Sequence, residues 1–512
     1  MTKIREIEHL IDLTLSACES WVKPDNDGLL RFVDPLDGDE ITAHYGATHA
    51  AAAFIILGKS RNDAALLEKG KALISSIISR WDKSKTLPAF HFDFNNFALC
   101  VAHDFLKNSD SELCKKIQMK VCSTSDSNHN TVNWLPMRWY VNMKRYEWTG
   151  NAKYQQTCEE CKSTITQATY DDGGIEDRLP KGTSFNLQYD IATVGVLQFL
   201  RCRGLDLDLS KELGFLINAI APDGDINYQG RGTNQVFAWG MWIYLLSSAN
   251  KEPEFDNAIS FLSNRVSTML ENSNLMLNNW KGAEKYLWWD YHYCSVYTAH
   301  FLFWLVLSKV DCHRKPICER NSIAKDSGLS ILKDTDYFIS VFSGRKEYLA
   351  ETGPIISAIW MKKYGMITKG TFGPWQGAFG NKYTFGDVVL RNYCGLLKID
   401  ENRDWTRNRV MHKLWPNLKA ASYTSVFPII ADFKAKEEAS AIIITFDNSK
   451  RKNVILNFPI LDNITDTPSI SLLVNGKPMI IQNNIKIRTH YGWCNVFQSK
   501  TSNAKEWVLK IE

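Results

Sequence analysis

Side chains that can bind sugars or move protons concentrate in a few short segments of this 512-residue chain. Asn128 and His129 precede a predicted helix, Tyr189 follows a glycine-containing loop, and Tyr228 lies within a second such loop. Together the segments supply amides, an imidazole, tyrosines, arginine and tryptophans, with few well-isolated pairs of carboxylates. They span residues 127–134, 171–190, 223–235 and 286–293, and a weaker one spans residues 90–96.

This set of residue types suits the removal of the C5 proton from a uronic acid within a polysaccharide. Because loss of that proton places charge on the adjacent carboxylate, donors such as Asn, His and Arg must stabilise the developing dianion. Tyrosine can serve as base or acid when positive charge or hydrogen bonds lower its pKa from about 10. The outcome is β-elimination, for which we expect neither a metal site nor an organic cofactor.

Two further groups of residues are predicted to hold the substrate. Arg231 lies between two glycines, a setting that exposes it, and we expect it to bind a carboxylate or sulfate of the substrate. Four ring side chains within five positions cannot all enter the core face of one helix, so at least one should stack on a sugar. They are Trp288, Trp289, Tyr291 and His292, with His292 as an auxiliary donor.

The elements that must position these residues are helices over the first three-fifths of the chain. Apolar residues recur with a period of 3.6 from residue 2 to about 310, which predicts about twelve helices separated by Gly-, Pro-, Asp- and Asn-containing connections. Successive antiparallel pairs of this number favour an (α/α) toroid over a superhelical solenoid, because no repeat of fixed length is present. In a toroid the loops of one face gather around a central cleft.

After about residue 325 the apolar period changes to two. Short strands separated by polar turns predict an antiparallel β-sandwich. The fold class is therefore α+β and multidomain, with a catalytic (α/α) toroid over residues 1–325 and a β-sandwich domain over residues 326–512.

Composition and charge exclude several other classes of protein. A formal net charge of +4 is too small to indicate a nucleic-acid binder. No stretch approaches 18 uninterrupted apolar residues, so no membrane span is expected. The first residues carry charges within their apolar pattern, unlike a secretory signal, and the twelve cysteines lack a disulfide spacing. We therefore expect a cytoplasmic protein that serves a bacterial surface-polysaccharide locus or the uptake of oligosaccharides.

The Asn128-His129 pair, the loop at residues 172–178 and a tyrosine on the next helix resemble the heparinase II/III and oligo-alginate lyase group. In that group the tyrosine usually lies about one helical turn earlier, where this chain has Phe185. The resemblance implies a toroid joined to a β-sandwich. It also implies Asn128 and His129 as neutraliser and base, Tyr189 as acid or base, and Arg178 as a substrate ligand.

Residues 223–234 resemble a different group, the chondroitin AC and hyaluronate lyases, which also join a toroid to β-sheets. The match is to an Asp-Gly-Ser, Tyr-x-Gly and downstream Asn pattern. It implies Tyr228 as base, Asn133 beside Trp134 as neutraliser and Asn234 as a further ligand. The two resemblances agree on the reaction and differ in the tyrosine, and both are short motifs within residues 125–235.

Other activities are compatible with the same fold. A glycoside hydrolase of the unsaturated glucuronyl hydrolase type needs two carboxylates that flank the glycosidic bond. Further alternatives are a uronate epimerase and a non-catalytic carbohydrate-binding protein. Alginate, heparan-like, hyaluronan-like and capsular chains all contain a uronate, so an anionic polysaccharide or oligosaccharide is the expected partner. The carboxylates available to a hydrolase are Asp171, Asp172, Glu176, Asp190 and Asp290.

Overall fold

The computed structural model describes most of the helical region of the chain and separate segments of its C-terminal region. The described residues are 2–35, 45–84, 91–128, 131–182, 185–229, 235–270, 294–311, 313–320, 326–342, 355–370, 434–438, 441–447, 457–462, 464, 466, 468–489, 491–499 and 506–512. Within them twelve α-helices precede a series of strands, as the apolar periods predict.

Each helix begins and ends close to the apolar stripe that predicted it. Asp63, Asp110, Asn151 and Asn186 cap their helices, because each side chain accepts a hydrogen bond from a backbone N–H of the first turn. The helices are α1 (Thr2–Ser20), α2 (Gly46–Arg61), α3 (Ala64–Lys83), α4 (Phe92–Leu106), α5 (Ser111–Ser123), α6 (Leu135–Thr149), α7 (Ala152–Ala168), α8 (Leu187–Cys202), α9 (Ser210–Ala219), α10 (Val236–Ser248), α11 (Glu252–Leu270) and α12 (Cys294–Val310).

The even-numbered helices form a closed inner ring, in which α2, α4, α6, α8 and α10 contact one another in turn and α12 returns to α2. The odd-numbered helices pack outside this ring. Five of them, α3, α5, α7, α9 and α11, contact the inner helix that precedes them in the chain, whereas α1 contacts α11 and α12. Helices α10 and α12 are buried on nearly every side, as inner helices must be, whereas α3 buries a single stripe. These contacts confirm the predicted toroid, with six helices inside and six outside among the described residues.

Aromatic side chains fill the axis of the toroid. Phe97 of α4 stacks on Trp304 of α12 with ring centroids 5.7 Å apart, and Phe199 of α8 meets both rings edge-on. All three side chains are completely buried. The interior is therefore a packed core at mid-height, and any cleft must lie at one end of the ring.

The C-terminal region consists of antiparallel sheets, and a short hairpin that the sequence did not predict, β1 (Val22–Pro24) with β2 (Leu30–Phe32), precedes α2. The C-terminal sheets have the strand orders β3-β4-β5-β6, β11-β10-β14-β8-β7 and β12-β13-β9. The strands are β3 (Leu329–Lys333), β4 (Tyr337–Phe342), β5 (Ile355–Met361), β6 (Gly365–Lys369), β7 (Lys434–Glu438), β8 (Ala441–Asp447), β9 (Asn457–Leu461), β10 (Ile470–Val474), β11 (Lys477–Met479), β12 (Ile481–Thr489), β13 (Gly492–Ser499) and β14 (Glu506–Ile511).

The antiparallel arrangement agrees with the prediction in detail. Asn475 and Gly476 both have positive φ and form the turn between β10 and β11, as the Asn-Gly pair indicates. Residues of β4, β5, β6, β9, β10 and β14 share one apolar core. Three separate sheets are not the simple two-sheet sandwich that we expected, so the sandwich and the boundary at residues 325/326 stay predictions.

The β region packs directly on the helical region. Phe338 and Phe342 of β4 are almost completely buried and join the core of the toroid. The Phe342 ring stacks on Phe185, before α8, at 6.2 Å, and the Phe338 ring meets Tyr228, before α10, at 6.1 Å. The strands thus support the two loops that precede α8 and α10.

Candidate functional site

The first turns of the six inner helices meet at one end of the toroid. Rings at the starts of the inner helices contact one another, so the N-terminal ends of all six share one face. Three of the predicted polar segments, at residues 127–134, 171–190 and 223–235, lead into the first turns of α6, α8 and α10. The toroid therefore directs these segments toward a single face.

A layer of aromatic rings, here called the aromatic floor, closes this end of the toroid with a contribution from every inner helix. Tyr45 stacks on Phe94 at 4.3 Å, and Phe94 meets Trp134 edge-on at 5.5 Å. Phe237 joins the other side, with ring centroids 5.5 Å from Tyr297 and 6.4 Å from Tyr189. Tyr189 is half-buried and the other five rings are buried, so Tyr189 presents the most accessible ring for stacking against a sugar. The floor comprises Tyr45, Phe94, Trp134, Tyr189, Phe237 and Tyr297.

Two histidines that the sequence did not single out lie in contact with the floor inside the toroid. His300 stacks on Phe237 with ring centroids 4.6 Å apart, and the His49 ring lies 4.7 Å from that of His300. Both side chains are completely buried. His49 Nδ1 lies 2.9 Å from the carbonyl oxygen of Tyr45, whereas His49 Nε2 and both ring nitrogens of His300 have no hydrogen-bond partner among the described residues.

Burial sets the charge state of this histidine pair. Desolvation lowers the pKa of His49 to about 3, although its hydrogen bond to the Tyr45 carbonyl opposes the shift. Desolvation, together with the nearby His49, lowers the pKa of His300 well below its usual value. Both imidazoles are therefore neutral near pH 7, so each has one donor and one acceptor nitrogen. Unpaired polar atoms of this kind are costly in a core and are common where a ligand binds.

Tyr189 lies in the first turn of α8, at the edge of the aromatic floor. Its backbone N–H donates to the Asn186 cap at 3.0 Å, and its side chain is half-buried against Phe237. The loops before α6 and α10 flank it, because Val132 donates to the carbonyl of Asp177 and Leu187 donates to Gln229. Tyr189 is therefore the predicted acid/base residue that stands at the floor.

Tyr228 was expected to face the cleft from its glycine-rich loop, and this prediction is wrong. Its side chain is completely buried, and its hydroxyl donates to the carbonyl of Ala219 at 2.6 Å. Its ring packs against Phe338 of β4. Burial raises the pKa of Tyr228 far above its usual value of about 10. The hydroxyl is thus held in the neutral form within the interface with the β region.

The other predicted binding residues that the structure describes lie in the loops before α6 and α8. Asn128 is exposed and precedes the 3₁₀ turn at Val132–Trp134. Asn133 is buried and donates its amide to Asp177 at 2.6 Å, so it joins the two loops instead of facing the cleft as a neutraliser should. Arg178 is half-buried beside this junction. The remaining predictions fall outside the described residues, namely His129, Arg231, Asn234, Trp288, Trp289, Tyr291 and His292.

Most carboxylates that a hydrolase could use are engaged in the structure. Asp172 is buried and accepts hydrogen bonds from the backbone and the hydroxyl of Ser327. Glu176 is buried and accepts from the Tyr170 hydroxyl at 2.7 Å. Asp190 is completely buried, and its Oδ1 lies 3.3 Å from the Ile175 N–H. Asp171 is exposed, and Asp290 lies outside the described residues.

Neither a metal cluster nor a membrane span is found among the residues that the structure describes. No three His, Cys, Asp or Glu side chains there are grouped so that they could hold a metal ion. None of the helices described is both long enough and apolar enough to cross a bilayer.

Comparisons with known proteins find similarity only among solved structures. No protein-family profile matches the chain, and no curated protein matches it. It is similar to the GH76A α-1,6-mannanase of Salegentibacter sp. HEL1_6, with 11% identity over 59% of this chain and 99% of that one, at a TM-score of 0.43.

Two other solved structures show a similar degree of likeness. A polysaccharide lyase is 12% identical over 60% of this chain and 97% of its own, at a TM-score of 0.40. A variant of unsaturated glucuronyl hydrolase from Streptococcus agalactiae is 14% identical over 60% of this chain and 91% of its own, at a TM-score of 0.41.

Proposed function

We propose that this protein is a polysaccharide lyase that cleaves a uronate-containing polysaccharide or oligosaccharide by β-elimination. The observation that carries the proposal is the position of Tyr189, half-buried in the first turn of α8 at the edge of the aromatic floor. Its competitor Tyr228 is engaged with Ala219 in the interior. In this mechanism Asn128 and His129 serve as neutraliser and base, Tyr189 serves as acid or base, and the accessible part of the aromatic floor stacks on a sugar.

The reaction needs a base, a charge stabiliser and an acid. The base removes the C5 proton, the electron pair forms the C4–C5 double bond, and the C4–O4 bond breaks. The leaving oxygen takes a proton, and the new non-reducing end is an unsaturated uronate. Amide and imidazole donors stabilise the enolate-like intermediate when they lie where its charge develops.

The surroundings of Tyr189 favour its use as a proton carrier. The first turn of a helix carries partial positive charge from unpaired N–H groups, which stabilises an anion there by about 0.3–1 kcal/mol. A negative charge on the adjacent Asp190 would oppose ionisation of the tyrosine. Burial, and next the charge of Asp172, raise the pKa of Asp190 well above its usual value. The shift favours the neutral form of the Asp190 carboxyl and so weakens this opposition.

The state of the carboxylates favours elimination over hydrolysis. A hydrolase requires two accessible carboxyl groups on either side of the scissile bond. Three of the five candidates, Asp172, Glu176 and Asp190, are buried within the loop before α8 and the turn that follows it. A uronate hydrolase therefore remains the second candidate function, and it would have to use acidic groups other than these three.

One assay separates these reactions. The full-length protein is incubated with alginate, heparan sulfate, hyaluronan and bacterial capsular polysaccharides, while absorbance in the unsaturated-uronate band and new reducing ends are recorded together. A lyase increases both signals in step with each other. Reducing ends without absorbance would show hydrolysis and overturn the proposal. The absence of both signals on every uronate polymer would also count against it, and would favour an epimerase or a binding protein.

A further inference from the structure

Lys369, at the end of β6, is a buried cation that contacts the loop before α10. Its side chain is 3% exposed, and its Nζ lies 2.5 Å from Asp223 and 2.8 Å from Asp225. Burial lowers the pKa of Lys369, but the two carboxylates outweigh burial and raise it. The ammonium group also lies 4.9 Å from the centroids of the Phe261 and Tyr491 rings. Such a closely surrounded charge fixes the loop to the sheet.

Tyr491, in the turn between β12 and β13, strengthens the same junction. Its hydroxyl donates to Asp225 at 2.6 Å and lies 2.9 Å from the carbonyl oxygen of Asn227. Asp225 in turn accepts the backbone N–H of Asn227 at 2.8 Å. Lys369 of strand β6 and Tyr491 of the β12–β13 turn therefore both hold the same loop of the toroid.

Hydrogen bonds continue from this junction to the residue beside Tyr189. The Asn227 amide donates to the Gln188 side chain at 3.3 Å and to the Gln235 carbonyl at 3.1 Å. The Gln188 amide donates to the Gln235 side chain at 3.0 Å. Gln188 immediately precedes Tyr189 in the first turn of α8, and all three amide side chains are buried. A continuous polar chain thus runs from the β region to Gln188, the residue before the predicted acid/base residue.

We propose that Lys369 is a positioning residue, which holds the first turn of α8 in place through Asp225, Asn227 and Gln188. Lys369 then acts on the site through these residues and not by direct contact with the substrate. This inference rests on the proposed function wherever activity is the readout. Its physical basis is that catalysis is sensitive to small displacements, since a shift of about 1 Å can cost on the order of 100-fold in rate.

The catalytic test is a double-mutant cycle between Lys369→Met and Tyr189→Phe. In the wild-type background Lys369→Met should lower kcat by about 100-fold with little change in KM. In the Tyr189→Phe background the same change should lower kcat by less than about twofold, because the residue that it positions no longer takes part. Equal losses in both backgrounds would show a general structural role and overturn the inference.

Two further variants guard against a failure to fold. Tyr491→Phe removes only a hydroxyl from the same junction. Its loss of kcat should be smaller and should show the same dependence on Tyr189, whereas Lys369→Arg should retain most of the activity.

Lys362→Met is the matched control, because Lys362 lies near the other end of the same hairpin, is 69% exposed and pairs only with Asp336 among the described residues. Its kinetics should match those of the wild type.

A readout without substrate keeps this inference separate from the proposed function. Amide hydrogen exchange in peptides that cover residues 221–229 and 185–191 should become faster in Tyr491→Phe and in Lys369→Met, and should not change in Lys362→Met. Unchanged exchange in the first two variants would overturn the inference whatever the activity. If the wild type cleaves no uronate polymer, the proposed function fails and this experiment still decides the role of Lys369.

Discussion

Tyr189 and Tyr228 show how the environment of a side chain decides what it can do. Both are tyrosines next to polar loops, and both match a short motif of a lyase group. Tyr228 is completely buried and donates to a carbonyl, whereas Tyr189 is half-buried at the aromatic floor. A proton carrier must reach the substrate, so burial argues against Tyr228 and leaves Tyr189 as the residue that we propose for this role.

Replacement of each tyrosine by phenylalanine tests this selection. Tyr189→Phe should lower kcat by about 10²–10⁴-fold with a small change in KM, the range expected for a lost general acid or base. Tyr228→Phe should keep kcat within about tenfold and instead lower the free energy of unfolding by about 1 kcal/mol, because its hydrogen bond to Ala219 is lost. Steady-state kinetics and denaturant unfolding of both variants measure these effects. A large kcat loss confined to Tyr228→Phe would contradict the selection.

The buried histidine pair should make stability depend on pH in a specific direction. The unfolded histidines bind protons below about pH 6.5, whereas burial keeps them neutral in the folded state. The contribution of the neutral histidines to the free energy of unfolding is therefore complete above about pH 6.5. It is lost as the pH falls from there toward about 3. Each buried imidazole contributes a slope of up to about 1.4 kcal/mol per pH unit over that window.

The variant His300→Phe isolates this contribution. The free energy of unfolding should fall less steeply between about pH 6.5 and about pH 4 than in the wild type, because one proton-binding group is removed from the unfolded state. The difference between the two curves cancels the effects of buried acids such as Asp93 and Asp190. Parallel curves for wild type and His300→Phe would contradict the prediction.

At the scale of elements, the loop before α8 depends on a glycine that no other residue can replace without strain. Gly173 has φ of +99°, and a Cβ there would overlap the carbonyl oxygen of Lys211. Asp172 beside it accepts from Ser327, and Asp326 accepts from the backbone of Asp171 and Asp172. The Asp-Gly-Gly motif therefore has a structural role: it holds this loop in contact with α9 and with the segment before β3.

Gly173→Ala and Gly204→Ala form a matched pair. Gly204 has φ of +103°, but a Cβ there would meet none of the described residues within 4 Å. Gly204→Ala should destabilise the protein by about 1–2 kcal/mol, the usual strain of a left-handed residue. Gly173→Ala should lower the free energy of unfolding by about 1–3 kcal/mol more than Gly204→Ala does, because the new Cβ overlaps Lys211. Chemical denaturation measures both, and equal losses would show that the loop relaxes without cost.

At the scale of the whole molecule, the helical and β regions share both apolar and charged contacts. Phe338 and Phe342 lie in the core of the toroid, and Lys369 neutralises carboxylates of the loop before α10. Each buried phenylalanine stabilises the assembly by about 1.5–3 kcal/mol. The predicted boundary at residues 325/326 would therefore separate two regions whose free energies of unfolding depend on each other.

Expression of residues 1–325 alone tests this dependence. The fragment should expose the surface around Phe185 and Tyr228, bind a hydrophobic dye and unfold at a lower Tm than the full chain. Mixing it with the separate residues 326–512 should reverse some of the effect if both fragments stay soluble. A fragment with the full chain's Tm and cooperative unfolding would show that the toroid is independent.

Much of the architecture could be predicted from the sequence because it depends on local periodicity. The stripe Leu66, Leu73, Ile77 marks α3, and the run of aromatic and β-branched residues in Tyr337–Phe342 marks β4. The Asn475-Gly476 turn and the caps at Asp63 and Asn186 follow from the same local chemistry. Such signals act over a few residues, so they are readable without the fold. The number of helices, taken as successive antiparallel pairs, then led to the predicted toroid.

The site was only partly predictable, because its residues come together from distant positions. Sequence motifs indicated Tyr189 but could not separate it from Tyr228, since burial depends on β4, which lies far along the chain. His300 lies within an almost wholly apolar helix, where its isolated imidazole was the one available signal. Lys369 resembled an ordinary surface lysine until the structure set it between Asp223 and Asp225. Which polar groups are buried, and which partners they meet, is decided by tertiary packing alone, because desolvation and pairing depend on contacts that no local pattern encodes.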